Sequence, residues 1–135
     1  DNNDVFNYIQ DNAKLYGGEI GFHFHPHPLD WLHYETSFET VTGKKQDGDY
    51  LPLIPANNWN NTIRTEFSIK NWLDQGFATL NLSSTFNQNN VSGFETSTNG
   101  YTLVNLGLGG KVTRLKNDGI PNIGRNIVLG VNFTI

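Results

Sequence analysis

Apolar and polar residues alternate at every second position in six separate stretches of this chain. Period two is the signature of a strand rather than a helix. The clearest case is residues 15–39, LYGGEIGFHFHPHPLDWLHYETSFE. Tyr16, Ile20, Phe22 and Phe24 share one side of a first arm, and Leu32, Tyr34, Thr36 and Phe38 share one side of a second. Between the arms, His25-Pro26-His27-Pro28-Leu29-Asp30 loses two backbone donors, and proline is confined to edges and turns, so the chain must reverse there. The opposite sides carry Leu15, Gly17, Glu19, Gly21 and His23, then Trp31, His33, Glu35, Ser37 and Glu39.

Further along, residues 60–69 set Ile63, Phe67 and Ile69 against Thr62, Arg64, Glu66 and Ser68. Residues 77–86 set Ala78, Leu80, Leu82 and Phe86 against Thr79, Asn81, Ser83 and Thr85. Residues 101–112 set Val104, Leu106, Leu108 and Val112 against Leu103, Asn105, Gly107 and Gly109. Residues 125–135 set Ile127, Leu129, Val131, Phe133 and Ile135 against Val128, Gly130, Asn132 and Thr134. The expectation is an all-β chain of antiparallel up-and-down strands. Its connections alternate in size: the tight 25–30 turn, a long polar run at 42–58, a short turn at 70–76 ending on glycine, and a second long run at 87–100. The cluster Val5, Phe6, Tyr8 and Ile9 reads as a frayed strand end or a loop.

Alternation fits two solvents. A soluble sandwich hides the apolar face, whereas a membrane barrel turns it to lipid and keeps a wet lumen. Strand length favours the barrel: the arms run about ten residues or more, against roughly five or six in globular sheets and about nine to eleven in membrane-spanning strands. The alternative is a soluble β-sandwich or small β-barrel that binds a ligand or carbohydrate. With 36% hydrophobic residues, no run approaches the ~18 apolar residues of a membrane helix. A net charge of −4 gives no basic footprint for nucleic acid, and the lack of cysteine removes disulfides and thiolate metal sites. There is no methionine and no charged-then-apolar leader, so the chain is expected to begin inside a longer product or after a cut.

Candidate sites are few. His23, His25 and His27 have strand spacing for a metal, but prolines interrupt them and no carboxylate completes the set, so a turn is the better reading. Asp47, Gly48 and Asp49 echo a calcium loop without its downstream Glu. Glu19, Glu35, Glu39, Arg64 and Glu66 would share one polar face, where solvating a lumen is a plainer role than acid/base work. No nucleophile–base or metal signature points to an enzyme, and no cofactor is expected. Trp31, Trp59, Trp72, Tyr16, Tyr34, Tyr50 and Tyr101 fall near strand ends, as an interfacial girdle requires.

Several separated motifs carry a resemblance: Leu15-Tyr16-Gly17-Gly18-Glu19, His25-Pro26-His27-Pro28-Leu29-Asp30-Trp31-Leu32, Leu51-Pro52-Leu53-Ile54-Pro55, Gly100-Tyr101-Thr102-Leu103-Val104-Asn105 and Asn122-Ile123-Gly124-Arg125-Asn126. In this order they resemble the C-terminal barrel region of TonB-dependent outer-membrane receptors, particularly those of Bacteroidetes. The ending Gly130-Val131-Asn132-Phe133-Thr134-Ile135 is similar to the assembly signal of outer-membrane barrels, although Ile135 stands where an aromatic is usual. One departure stands out: members of that family carry another strand and turn between the regions matching 106–112 and 114–126. A final strand running down to a periplasmic terminus then implies that roughly 25–35 residues are absent near Val112–Leu115.

The resemblance implies the last quarter to third of a transmembrane barrel of about 22 strands in the bacterial outer membrane. Implied partners are the rest of the barrel and its plug domain, outer-membrane lipid, the TonB complex through parts outside this chain, and a scarce small-molecule ligand such as an iron–siderophore complex, haem, a cobalamin or a glycan. The long loops 42–58 and 87–99 are the expected ligand contacts, with Lys44, Lys45, Asp47, Asp49, Tyr50, Asn89, Asn90, Phe94 and Glu95 as candidates.

Overall fold

The computed structural model describes residues 10–70, 72–112 and 125–134. They form one six-stranded antiparallel sheet in which sequence neighbours are spatial neighbours. The strands are β1 (Ala13–Phe24), β2 (Leu32–Lys45), β3 (Asn58–Ile69), β4 (Leu73–Thr85), β5 (Tyr101–Val112) and β6 (Arg125–Thr134). Each extends 10 to 14 residues. The apolar cluster near residue 5, the 113–124 connection with the Asn122 motif, and Ile135 lie outside the described residues.

Register decides which side chains share a face. Ile20 lies opposite Phe38, Phe38 opposite Trp59, and Tyr34 opposite both Phe24 and Ile63. Ile63 then faces Leu80, Leu80 faces Leu106, and Leu106 faces Val131. One largely apolar face therefore runs across all six strands, as the alternation requires. The opposite face carries Glu19, Glu39, Glu35, Arg64, Glu66, Asn81 and Asn105.

Nothing covers the apolar face among the described residues. No hydrophobic side chain there is buried; Phe22 is 64% exposed and Leu129 66%. Contacts run only between successive strands, so β1 and β6 do not meet and the sheet is not closed. The chain exposes 11117 Å², against roughly 7,100 Å² for a folded monomer of this mass. A single layer explains the excess, since stable architectures pack a sheet's apolar side against a second layer or a nonpolar medium. Each Phe or Leu left bare forgoes about 1.5–3 kcal/mol of burial.

The loops sort by end. At one end, residues 25–31 turn β1 into β2, with the Leu29 amide donating to Pro26 O (2.7 Å) and the Leu32 amide to Leu29 O (2.9 Å). The β3–β4 connection is shorter than expected: β4 begins at Leu73, and Gly76 sits inside the strand, where the register shifts between Asp74 and Phe77. A bulge absorbs the extra residues that read as a turn in sequence. At the other end lie the long connections 46–57 and 86–100. The first also starts later than expected, because Thr40, Val41 and Thr42 favour extended backbone and carry β2 on to Lys45. Phe86 lies just beyond β4, so Ser84 takes the following apolar-face position.

β6 pairs with β5 in antiparallel sense, Leu106 opposite Val131. In the chain as it stands β6 therefore runs opposite to β5, not parallel with it as the expected downward final strand would. The strand inferred to be absent concerns residues that this sequence does not contain.

Candidate functional site

The two long connections occupy the same end of the sheet and are tied to each other. Glu95 is the main tie. Its Oε1 accepts the Leu53 amide of the other loop at 2.8 Å, and its Oε2 accepts the Ser92 amide (3.2 Å) and hydroxyl (3.1 Å). These amide donors hold the Glu95 carboxyl below its ordinary value, the Leu53 bond contributing most. Gln88 supplies a second tie, its Nε2 donating to Ile54 O at 2.6 Å. Gln88 is itself fixed by a two-way backbone bridge to Thr98.

The expected loop residues are distributed as follows. Lys44 and Lys45 close β2 rather than sit in the loop. The Lys44 Nζ lies 4.7 Å from the centre of the Tyr50 ring, and Lys44 bridges Tyr50 through the backbone. The Lys45 amide donates to Asp49 O (2.8 Å) and the Asp49 amide to Asp47 Oδ1 (3.0 Å), with Gly48 at φ +100 supplying the turn. Asn89 and Asn90 are exposed, and the Asn90 amide donates to Gln88 Oε1 (3.2 Å). Phe94 projects into solvent at 99% exposure. Leu53, Ile54, Gln88 and Ser92 were not anticipated. Only the Ser92-x-x-Glu95 spacing is a legible signal, because a Ser hydroxyl and a Glu three residues on commonly bond across a turn.

The polar face is built in layers. Asn81 Nδ2 donates to Thr62 Oγ1 (2.9 Å), and Asn105 Nδ2 donates to Asn81 Oδ1 (2.9 Å). Arg64 Nε donates to Glu66 Oε1 (3.1 Å), while its guanidinium lies 4.5 Å from the Phe77 ring centre. Both groups of that ion pair are substantially exposed, so it contributes at most about 1 kcal/mol. Glu19 stands directly opposite Glu39, an unfavourable like-charge pair. The five charged residues expected on this face are all there, but spread over it.

Near the tight turns, His23 Nε2 lies 3.8 Å from Glu35, and His25 stacks on His33 at 4.3 Å. His27 Nδ1 lies 3.2 Å from Asp30 Oδ1, and His25 Nε2 lies 2.9 Å from Asp30 O. Among the described residues no three of these side chains are grouped to hold a metal ion. Asp30 instead anchors both imidazoles of the turn.

The apolar face holds a knot of hydrogen-bonded polar side chains. Trp59 Nε1 donates to Thr36 Oγ1, Thr36 Oγ1 donates to Asn61 Oδ1, and Tyr34 OH donates to the same Asn61 oxygen, each at 2.9 Å. The aromatic set divides between faces. Tyr16, Tyr34 and Trp59 stand on the apolar face, while Tyr101, opposite Thr85, and Trp31, level with Glu66, stand on the polar one. Tyr101 and Trp31 therefore do not belong to a girdle on the apolar side.

The chain was compared with protein-family models, curated proteins and solved structures, and none matches.

Proposed function

We propose that this chain is wall from the C-terminal part of a TonB-dependent outer-membrane receptor, a plugged barrel of about 22 strands that takes up a scarce ligand such as an iron–siderophore complex, haem, a cobalamin or a glycan. One observation carries the reading. A single apolar face spans all six strands with no described residue packed on it, and the Tyr34 hydroxyl, the Thr36 hydroxyl and the Trp59 indole within that face each donate to a partner on the same face. Hydrocarbon is the surrounding that makes both features favourable, since it accepts bare aliphatic side chains and offers no partner to a free N–H. A soluble sandwich needs a second sheet there, and the described residues supply none.

Strand length and the segregation of long connections to one end support the same reading. The rest of the barrel would pair with β1 and β6, its plug would meet the polar face, and the loops 46–57 and 86–100 would face the ligand. Energy would arrive through a TonB contact on the plug, so these residues supply wall and loops rather than coupling. Single-tryptophan variants of the full chain in lipid bilayers test this. Brominated acyl chains should quench Trp59, on the apolar face, and spare Trp31. Equal quenching of the two rejects the proposal.

A further inference from the structure

We propose that Asn99 is a self-modification site, converted to aspartate and isoaspartate by attack of the Gly100 amide nitrogen, and that Asn87 sets the rate by holding that amide. The inference stands apart from the membrane reading, since it uses only the residues at the entry to β5.

Asn99-Gly100 is the single Asn-Gly pair in the sequence. Asparagine is a thermolabile residue, and glycine after it is the reactive arrangement because no Cβ shields the nitrogen as it closes on the asparagine Cγ. The fold leaves no other choice at position 100. A Cβ there would come within 2.5 Å of Thr85 O and 2.9 Å of Phe86 C. Asn99 is exposed, and its carboxamide has no hydrogen-bond partner among the described residues, so it can turn back on the following nitrogen. Its neighbours are fixed on both sides. Thr98 exchanges backbone bonds of 2.9 and 3.1 Å with Gln88, and the Gly100 amide donates to Asn87 Oδ1 at 2.6 Å.

The reaction needs that nitrogen bare. A solvent base takes the Gly100 amide proton, the nitrogen bonds to Asn99 Cγ, and the Cγ–Nδ2 bond breaks, ammonia leaving with a proton from water. Water then opens the cyclic imide at either carbonyl, so that Asn99 ends as aspartate or as isoaspartate, whose main chain runs through Cβ. The balance is water in and ammonia out, with no oxidant or reductant. In the folded chain, deprotonation would set the nitrogen lone pair against the Asn87 oxygen, and the same bond keeps the Gly100 peptide plane from swinging toward Cγ. Asn87 is thus a positioning residue that restrains the step. The imide carries no N–H, so conversion releases Asn87, and the isoaspartate backbone lengthens the chain at the root of the 86–100 loop.

The test follows the full chain in detergent micelles at mildly alkaline pH by peptide mass spectrometry, with electron-transfer fragments separating isoaspartate from aspartate. Asn99 should convert ahead of Asn89 and Asn90, which are exposed in the same loop. Asn87→Ala should speed conversion about fivefold, the worth of one hydrogen bond, whereas Asn87→Asp keeps an acceptor and should retain the slow rate. Gln88→Ala removes the tie to Ile54 without releasing the Gly100 amide, and should change the Asn99 rate far less. In urea, where the bond is absent, wild type and N87A should convert at one rate. Conversion of Asn99 no faster than that of Asn89 and Asn90 overturns the site. Equal folded rates in wild type and N87A, or acceleration by Q88A as large as by N87A, overturn the role of Asn87.

Discussion

Thr36 Oγ1 accepts a hydrogen bond from Trp59 Nε1 and donates one to Asn61 Oδ1, on a face whose neighbours are Phe22, Phe38 and Leu82. What that hydroxyl is worth depends on the medium outside it. In water, Thr36→Val should cost less than about 0.5 kcal/mol, because solvent takes over both bonds. Against hydrocarbon the indole N–H has no substitute partner, and a loss of about 1–3 kcal/mol is expected. Urea unfolding in bilayers reads the difference. If the apolar face meets lipid at mid-depth, Leu82→Arg should cost about 2–4 kcal/mol, whereas Asn81→Asp, on the polar face, should be mild. Equal tolerance of the two would remove the lipid assignment.

Elements are held in place by small groups as much as by large ones. A Cβ built on Gly109 would come within 2.6 Å of the Phe77 ring, and that ring carries the Arg64 guanidinium 4.5 Å from its centre. Gly109→Val should push the ring aside and forfeit the cation–π contact, about 0.5–1 kcal/mol at an exposed site, plus the cost of repacking at the β4 bulge. Denaturant midpoints of G109V and F77A, compared with their double variant, would show whether the two share one effect. The loop pair should respond to acid. Glu95 has its carboxyl held below the ordinary value of 4.5 by the amides it accepts. A depressed acid contributes pairing above its ordinary value and loses it as pH falls through the folded one. The Leu53 amide should therefore stay protected through pH 4.5 and become labile only at lower pH, as NMR exchange across an acid titration would show.

For the molecule as a whole, the open edges and the bare face lead to the same expectation. β1 and β6 each present an unpaired row of backbone donors and acceptors among the described residues, and such rows associate in water. The chain should aggregate without detergent and disperse with it, as sedimentation would reveal; a stable detergent-free monomer would instead support a soluble module. The β5–β6 pairing bears on assembly too. An even number of consecutive antiparallel strands puts the end of β6 level with the start of β1, on the side of the long loops.

The strands and their faces were written in the alternation, because a two-residue period is a local property that needs no partner to be read. Residues such as Ile20, Phe38 and Leu106 show their side directly. The ends of elements were less legible: Gly76 looks like a turn until β3 and β5 draw it into a bulge, and Lys44 looks like loop until Lys14 and Ala13 extend the ladder along β2. Of the loop junction only the local Ser92-x-x-Glu95 spacing was legible, since Leu53 and Glu95 lie 42 positions apart and carry no shared pattern. Sequence determined what each strand shows to either side, because side-chain direction follows from the backbone's own repeat. Tertiary structure alone decided that two polar loops meet at one carboxylate and leave Leu53 and Phe94 bare, because that depends on which distant segments the sheet brings to the same end.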